Sequence, residues 1–186
     1  MQTYTLEHTA KGIEADLKRG VFIALLHASR IPPHIGLLGD GLYHSLHVKG
    51  QELNVPLQVL YKGMMLRKIP ALFIEIKPHP VFSETYLTEH FSTNVQAFER
   101  VDTGKATCLS PLKLFFEENW NLDLSPVEYL YELLPMLSER NMLGKVFSFH
   151  LDPGPFRLPY YTMKEIHEGI EQYKSEYKSY AITQRG

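Results

Sequence analysis

The sequence predicts an α+β fold, and three observations carry that expectation. Two short apolar runs flank Gly39-Asp40-Gly41, further apolar runs at 21–26 and 71–77 have strand length, and helix-start signals gather in the second half of the chain. The expected architecture is a small antiparallel sheet packed with helices. It forms a single domain over 1–186, with a C-terminal helical extension at about 160–182.

The hairpin is the clearest local signal. Asp-Gly between apolar runs favours a tight turn, because both central residues need positive φ. A two-residue turn sets His34 opposite His47, on one face with Tyr43 and Ser45. The other face then carries Ile35, Leu37, Leu42, His44, Leu46 and Val48, which predicts a half-buried hairpin. A three-residue turn brings His44 to the His34 face instead. Residues 5–19 predict a short helix on the spacing of Leu6, Ala10, Ile13 and Leu17, ended by Gly20. Residues 21–26 and 71–77 read as strands, and 56–66 as a helix. Residues 78–107 read as polar and irregular, with one helix or strand near 95–101. Ser110-Pro111 and Ser125-Pro126-Val-Glu128 carry capping side chains ahead of a proline, which predicts helices over 111–118 and 126–139. A strand over 145–151 follows. The last helix, 162–180, presents Ile166, Ile170, Tyr173 and Tyr177 along one stripe.

Composition narrows the function classes. The chain has 186 residues, 44% hydrophobic and 22% charged, with a formal net charge of −2. Acidic and basic residues are interspersed, which argues against nucleic acid as a partner. No apolar run approaches the ~20 residues of a membrane span. The first residues lack the basic start and apolar middle of a secretory leader. One cysteine forms no internal disulfide, so a reducing cytoplasmic setting is expected.

That cysteine is the candidate nucleophile. Cys108 precedes a predicted helix, where free N–H groups and the helix dipole favour negative charge. His34, held after two prolines at the start of a strand, is the candidate base. A third polar group is needed to orient the imidazole, and His44 and His47 are the candidates. Face parity favours His47. The structural alternatives are a buried cysteine that only packs and an exposed loop histidine. A histidine-ligated metal site would need His34 together with either His44 or His47, and a carboxylate such as Glu52 or Glu75. It ranks below the thiol site because His44 and His47 point to opposite faces of one strand. Asp102-Thr-Gly-Lys-Ala-Thr107 lacks the upstream glycine of a phosphate loop.

The segment His34-Ile-Gly-Leu-Leu-Gly-Asp-Gly-Leu-Tyr-His44 resembles the histidine motif of NlpC-type papain-like proteins. It is most similar to the circularly permuted branch, which includes YiiX-like hydrolases and lecithin retinol acyltransferase relatives. In that branch the histidine precedes a polar residue on the next strand, and the cysteine comes later at a helix start. Here the order is His34, then His44 or His47, then Cys108 within Ala-Thr-Cys-Leu-Ser. The resemblance covers 20–50 and 104–118. It implies a permuted papain-like fold and a thiol hydrolase or acyltransferase acting on an amide or ester bond through a thioester. It puts the third residue at His44, against the parity that favours His47. No cofactor or metal is implied, and the substrate class (small molecule, peptide or lipid) stays open. Members without catalysis exist, so a binding or assembly domain of the same fold is the alternative.

Overall fold

The computed structural model describes residues 4–183, with side chains to residue 175. Nine strands form in chain order: β1 (Thr5–Leu6), β2 (Ala10–Lys11), β3 (Val21–Leu26), β4 (His34–Gly39), β5 (Leu42–His47), β6 (Gly50–Pro56), β7 (Ala71–Ile76), β8 (Leu143–Phe149) and β9 (Phe156–Arg157). Five helices interleave with them: α1 (Leu57–Leu66), α2 (Glu84–Gln96), α3 (Ser110–Trp120), α4 (Leu130–Glu139) and α5 (Met163–Thr183). The class is α+β. The sheet, however, is neither small nor wholly antiparallel. Seven strands run in the order β2-β8-β7-β3-β4-β5-β6, and β2 pairs with β8 in parallel. β1 and β9 form a separate antiparallel pair.

The hairpin follows from its turn. Asp40 and Gly41 hold φ of 47° and 71°, the left-handed values that a two-residue turn demands. Leu38 then opposes Tyr43, and Gly36 opposes Ser45. Parity is therefore the one that sets His34 and His47 on a single face. The hairpin is not half-buried, because helices cover both sides of the sheet. Along β3, Val21, Ile23 and Leu25 enter one apolar core, and Phe22, Ala24 and Leu26 the other. The first core takes side chains from α2, α3, α4 and α5. The second takes Leu57 and Met64 of α1, with Leu17 and Phe149. A strand buried on both faces loses the polar alternation of a solvated sheet.

Three local readings are corrected. Residues 5–19 form no α-helix. They run as β1, β2 and a 3-10 turn at Glu14–Leu17. Gly12 lies so close under Phe149 that an added Cβ would meet its ring at 2.5 Å, so this stretch is held by contact with β8 and not by its own periodicity. The stretch 78–107 contains the 13-residue helix α2, opened by Ser83, whose hydroxyl accepts from the Tyr86 N–H. Its Leu87, Phe91 and Val95 recur every four residues and are buried. α4 starts at Leu130, not 126, because Glu132 accepts from the N–H groups of Glu128 and Tyr129 and so caps a later turn. In α5, Ile166 and Ile170 are buried against the first core. Tyr177 lies outside the described side chains.

Phe115 of α3 is fully buried and meets Phe91, Phe116 and Trp120 at ring distances of 5.6, 5.3 and 5.5 Å. Phe115→Ala is expected to cost about 3–5 kcal/mol through lost burial and a residual cavity. Urea unfolding would read this as a lowered midpoint with an unchanged slope.

Candidate functional site

Pairing between β4 and β5 stops at Gly36 and Ser45, so the His34 end of the hairpin is not closed by strand pairing. The turn that leads into α3 reaches this end. Cys108 there donates its S–H to the Pro33 carbonyl at 3.7 Å. Thr107 and Ser110 hold the turn. The Thr107 hydroxyl accepts from the Leu109 N–H at 3.3 Å, and the Ser110 hydroxyl accepts from the Thr107 N–H at 3.0 Å. The side chain that holds this turn is thus Thr107, and Cys108 stands in the turn that leads into α3, two residues before the helix begins at Ser110. The neighbouring segment is pinned too, by the Val101 N–H on the His47 carbonyl.

Cys108 and His34 line one cleft of about 820 Å³, together with His47, Glu52, Arg30, Arg67 and Tyr173, among others. The size falls within the range of small-molecule sites. The Cys108 sulfur lies against backbone on both sides of His34, with the Pro33 carbonyl and the Ile35 N–H bearing on it. Burial pushes the Cys108 thiol up to about 11, and the N–H groups of Ile35 and of Cys108 itself offset only part of that. The His34 imidazole is held down to about 3, first by burial and then by the neighbouring His47 and His27 rings. Thiol and imidazole therefore both rest neutral.

A hydrogen-bond chain settles which nitrogen of His34 carries the proton. The Ser45 hydroxyl donates to the Glu52 carboxylate at 2.9 Å. Its oxygen must then accept, and His34 Nε2 stands 3.0 Å from it. Nε2 thus bears the hydrogen, and Nδ1, on the backbone side of the ring, keeps its lone pair. The group that orients His34 is Ser45, backed by Glu52.

Neither histidine candidate takes that place. His47 packs edge-on against the His34 ring at 5.2 Å and against Tyr173 at 4.8 Å, while its Nδ1 accepts from the Lys49 N–H. His44 is on the opposite face. Its Nδ1 accepts from the Asn54 N–H at 3.1 Å, and burial holds it down to about 4. Ser45 was legible by parity, since it shares the His34–His47 face. Glu52 needed the next hairpin, where it sits directly across from Ser45. Glu75 is elsewhere, accepting from the Lys145 N–H on β8. Among the described residues, no group of three or more His, Cys, Asp or Glu side chains gathers closely enough to hold a metal ion. Among the described helices, none is long and apolar enough to cross a membrane.

Comparison of the chain with protein-family models, with curated proteins and with solved structures found no match.

The buried histidines make stability depend on pH. His34 titrates near 6.5 when unfolded and about 3 when folded, so between those values the unfolded chain binds the extra proton. Stability is full above about pH 6.5 and falls as pH drops through that window. His44 adds to the fall in the same direction. In urea titrations from pH 7 to 4.5, His34→Gln is expected to flatten the decline, by up to ~1.4 kcal/mol per pH unit.

Proposed function

We infer that this protein is a cysteine-dependent acyl-transfer enzyme, a hydrolase or acyltransferase that attacks an amide or ester carbonyl through Cys108. The observation that carries this reading is the His34–Ser45–Glu52 chain. It leaves the lone pair of His34 on Nδ1, beside the strand backbone that the Cys108 sulfur touches. A purely structural histidine gains nothing from a relay that runs from the buried Ser45 to the exposed Glu52 carboxylate and selects one tautomer. The cleft supplies room for a substrate at the same place. The order of histidine, orienting residue and cysteine also agrees with the permuted papain-like resemblance.

In the proposed reaction, the Cys108 thiol gives its proton to His34 Nδ1 as the sulfur bonds to the carbonyl carbon. Because thiol and imidazole both rest neutral, this transfer accompanies attack rather than preceding it. Negative charge then develops on the carbonyl oxygen. Among the amides of 107–110, those of Thr107, Leu109 and Ser110 have oxygen acceptors. The Cys108 N–H faces its own sulfur, and it is the donor available to the oxyanion. Collapse breaks the bond to the leaving group, which takes the proton from the imidazolium. Water or a second acceptor then loses a proton to Nδ1, attacks the thioester and returns Cys108 to the thiol. Ser45 and Glu52 hold the ring and stabilise its cationic form during the transfer.

The alternative, a binding or assembly domain of the same fold, draws on the same neutral pair, because a thiol pushed up to about 11 is a poor nucleophile at rest.

The discriminating experiment is incubation of the intact chain with p-nitrophenyl acetate, followed by mass mapping of the adduct. Acetyl-Cys108 is expected, lost in Cys108→Ser and slowed by about 10²-fold or more in His34→Gln, the size of a general-base contribution. Unmodified Cys108 under conditions that acetylate a free thiol would count for the binding domain. Ser45→Ala tests the relay separately. Acetylation is expected to slow by about 10-fold or more, the scale of one lost hydrogen bond to a charged ring, while its pH dependence shifts with the freed imidazole.

A further inference from the structure

The cleft that holds Cys108 and His34 is uneven in charge. Among the described residues, Arg30, Lys49 and Arg67 line it with one carboxylate, Glu52. That carboxylate already accepts the Ser45 hydroxyl. The surplus occurs in a chain whose formal net charge is −2, so composition does not account for it.

Two of these cations gather at one end. Arg30 and Arg67 both act on His27, which also lines the cleft and whose imidazole is held below its ordinary value by burial and then by the two guanidinium charges. The backbone is built to hold them there. His27 adopts a left-handed φ of 52°, which is uncommon outside glycine, and its carbonyl accepts from the Arg30 N–H at 2.8 Å. The Ala28 N–H is tied to the Pro70 carbonyl, joining this turn to the segment after α1. Arg67 stands at the end of α1, where its Nε donates to the Gly63 carbonyl at 3.2 Å. Among the described residues, neither guanidinium makes an ion pair with a carboxylate. Two like charges converging on one histidine repel, and an oxyanion between them reverses that cost, because guanidinium donors match phosphate and carboxylate oxygens.

We propose that Arg30 and Arg67 form an oxyanion-binding subsite of the cleft, so that the acyl donor carries a phosphate or carboxylate group seated there while its carbonyl is presented to Cys108. The carbonyl half rests on the cysteine-dependent reading above. The anion half stands on the cleft alone.

The test titrates the intact chain with inorganic pyrophosphate and, separately, with succinate, following the His27 ring signals by NMR. A saturable shift is expected, with the tighter ligand identifying phosphate or carboxylate as the group. Binding is expected to weaken by about 10-fold or more in Arg30→Gln/Arg67→Gln, the scale of lost charge-assisted hydrogen bonds. Arg19→Gln, at an exposed position outside the cleft, serves as the charge control and should bind like the parent. Both cleft arginines are exposed, so the double variant is expected to fold, and thermal melts by circular dichroism check this. No saturation with either anion, or equal affinity in the double variant, overturns the subsite. Acetylation of Cys108 by p-nitrophenyl acetate without anion binding overturns the subsite and leaves the thiol reading standing. Anion binding without acetylation supports the subsite and tells against the thiol reading.

Discussion

The parity of the β4–β5 hairpin governs everything built on it. Asp40 and Gly41 accept positive φ, the turn closes in two residues, and every side chain of both strands is then assigned to a face. His34, Ser45 and His47 come to the cleft side through that assignment, and His44 goes to the opposite core. One residue more in the turn would exchange His44 for Ser45 beside His34 and remove the hydroxyl that selects its tautomer. The next hairpin repeats the principle by setting Glu52 across from Ser45. A buried imidazole, a hydroxyl and a carboxylate thus line up across three strands through backbone register alone.

The second constraint is where strand pairing ends. β4 and β5 are paired only as far as Gly36 and Ser45, and the turn ahead of α3 meets the backbone beyond that point. The thiol therefore comes to the sheet from the core on the α2–α5 side, while the His34 ring belongs to the α1 side. This arrangement joins two cores at one cleft. It also explains the neutral resting pair, since burial disfavours charge on both sulfur and imidazole. The cationic end of the cleft is the one part of it where charge remains without a carboxylate partner among the described residues, and it lies between α1 and the turn after β3.

Much of the frame was legible in the residues. The hairpin, the strands at 21–26 and 71–77, the helix that follows Pro56 and the capped start near Cys108 all have local causes that survive folding. Other segments did not. Residues 5–19 carry a helical spacing, yet Gly12 and the edges of β8 and β9 draw them into short strands. α2 was hidden because its exposed face is polar and its apolar repeat sparse. The count and direction of strands in the large sheet depend on contacts far apart in the chain, such as β2 with β8, and no local pattern encodes them.

At the site, the sequence by itself determined the two candidate side chains, Cys108 and His34, and the parity that puts Ser45 and His47 on the His34 face. Those follow from residue chemistry and a period of two, both local. Only the tertiary structure decided that Ser45, backed by Glu52, orients the ring, that Thr107 caps the turn carrying Cys108, and that Arg30 and Arg67 share the cleft. Each of these depends on elements separated in sequence meeting at a set distance. Hydrogen bonds and charge pairs form across space, and a one-dimensional pattern records only which partners are available.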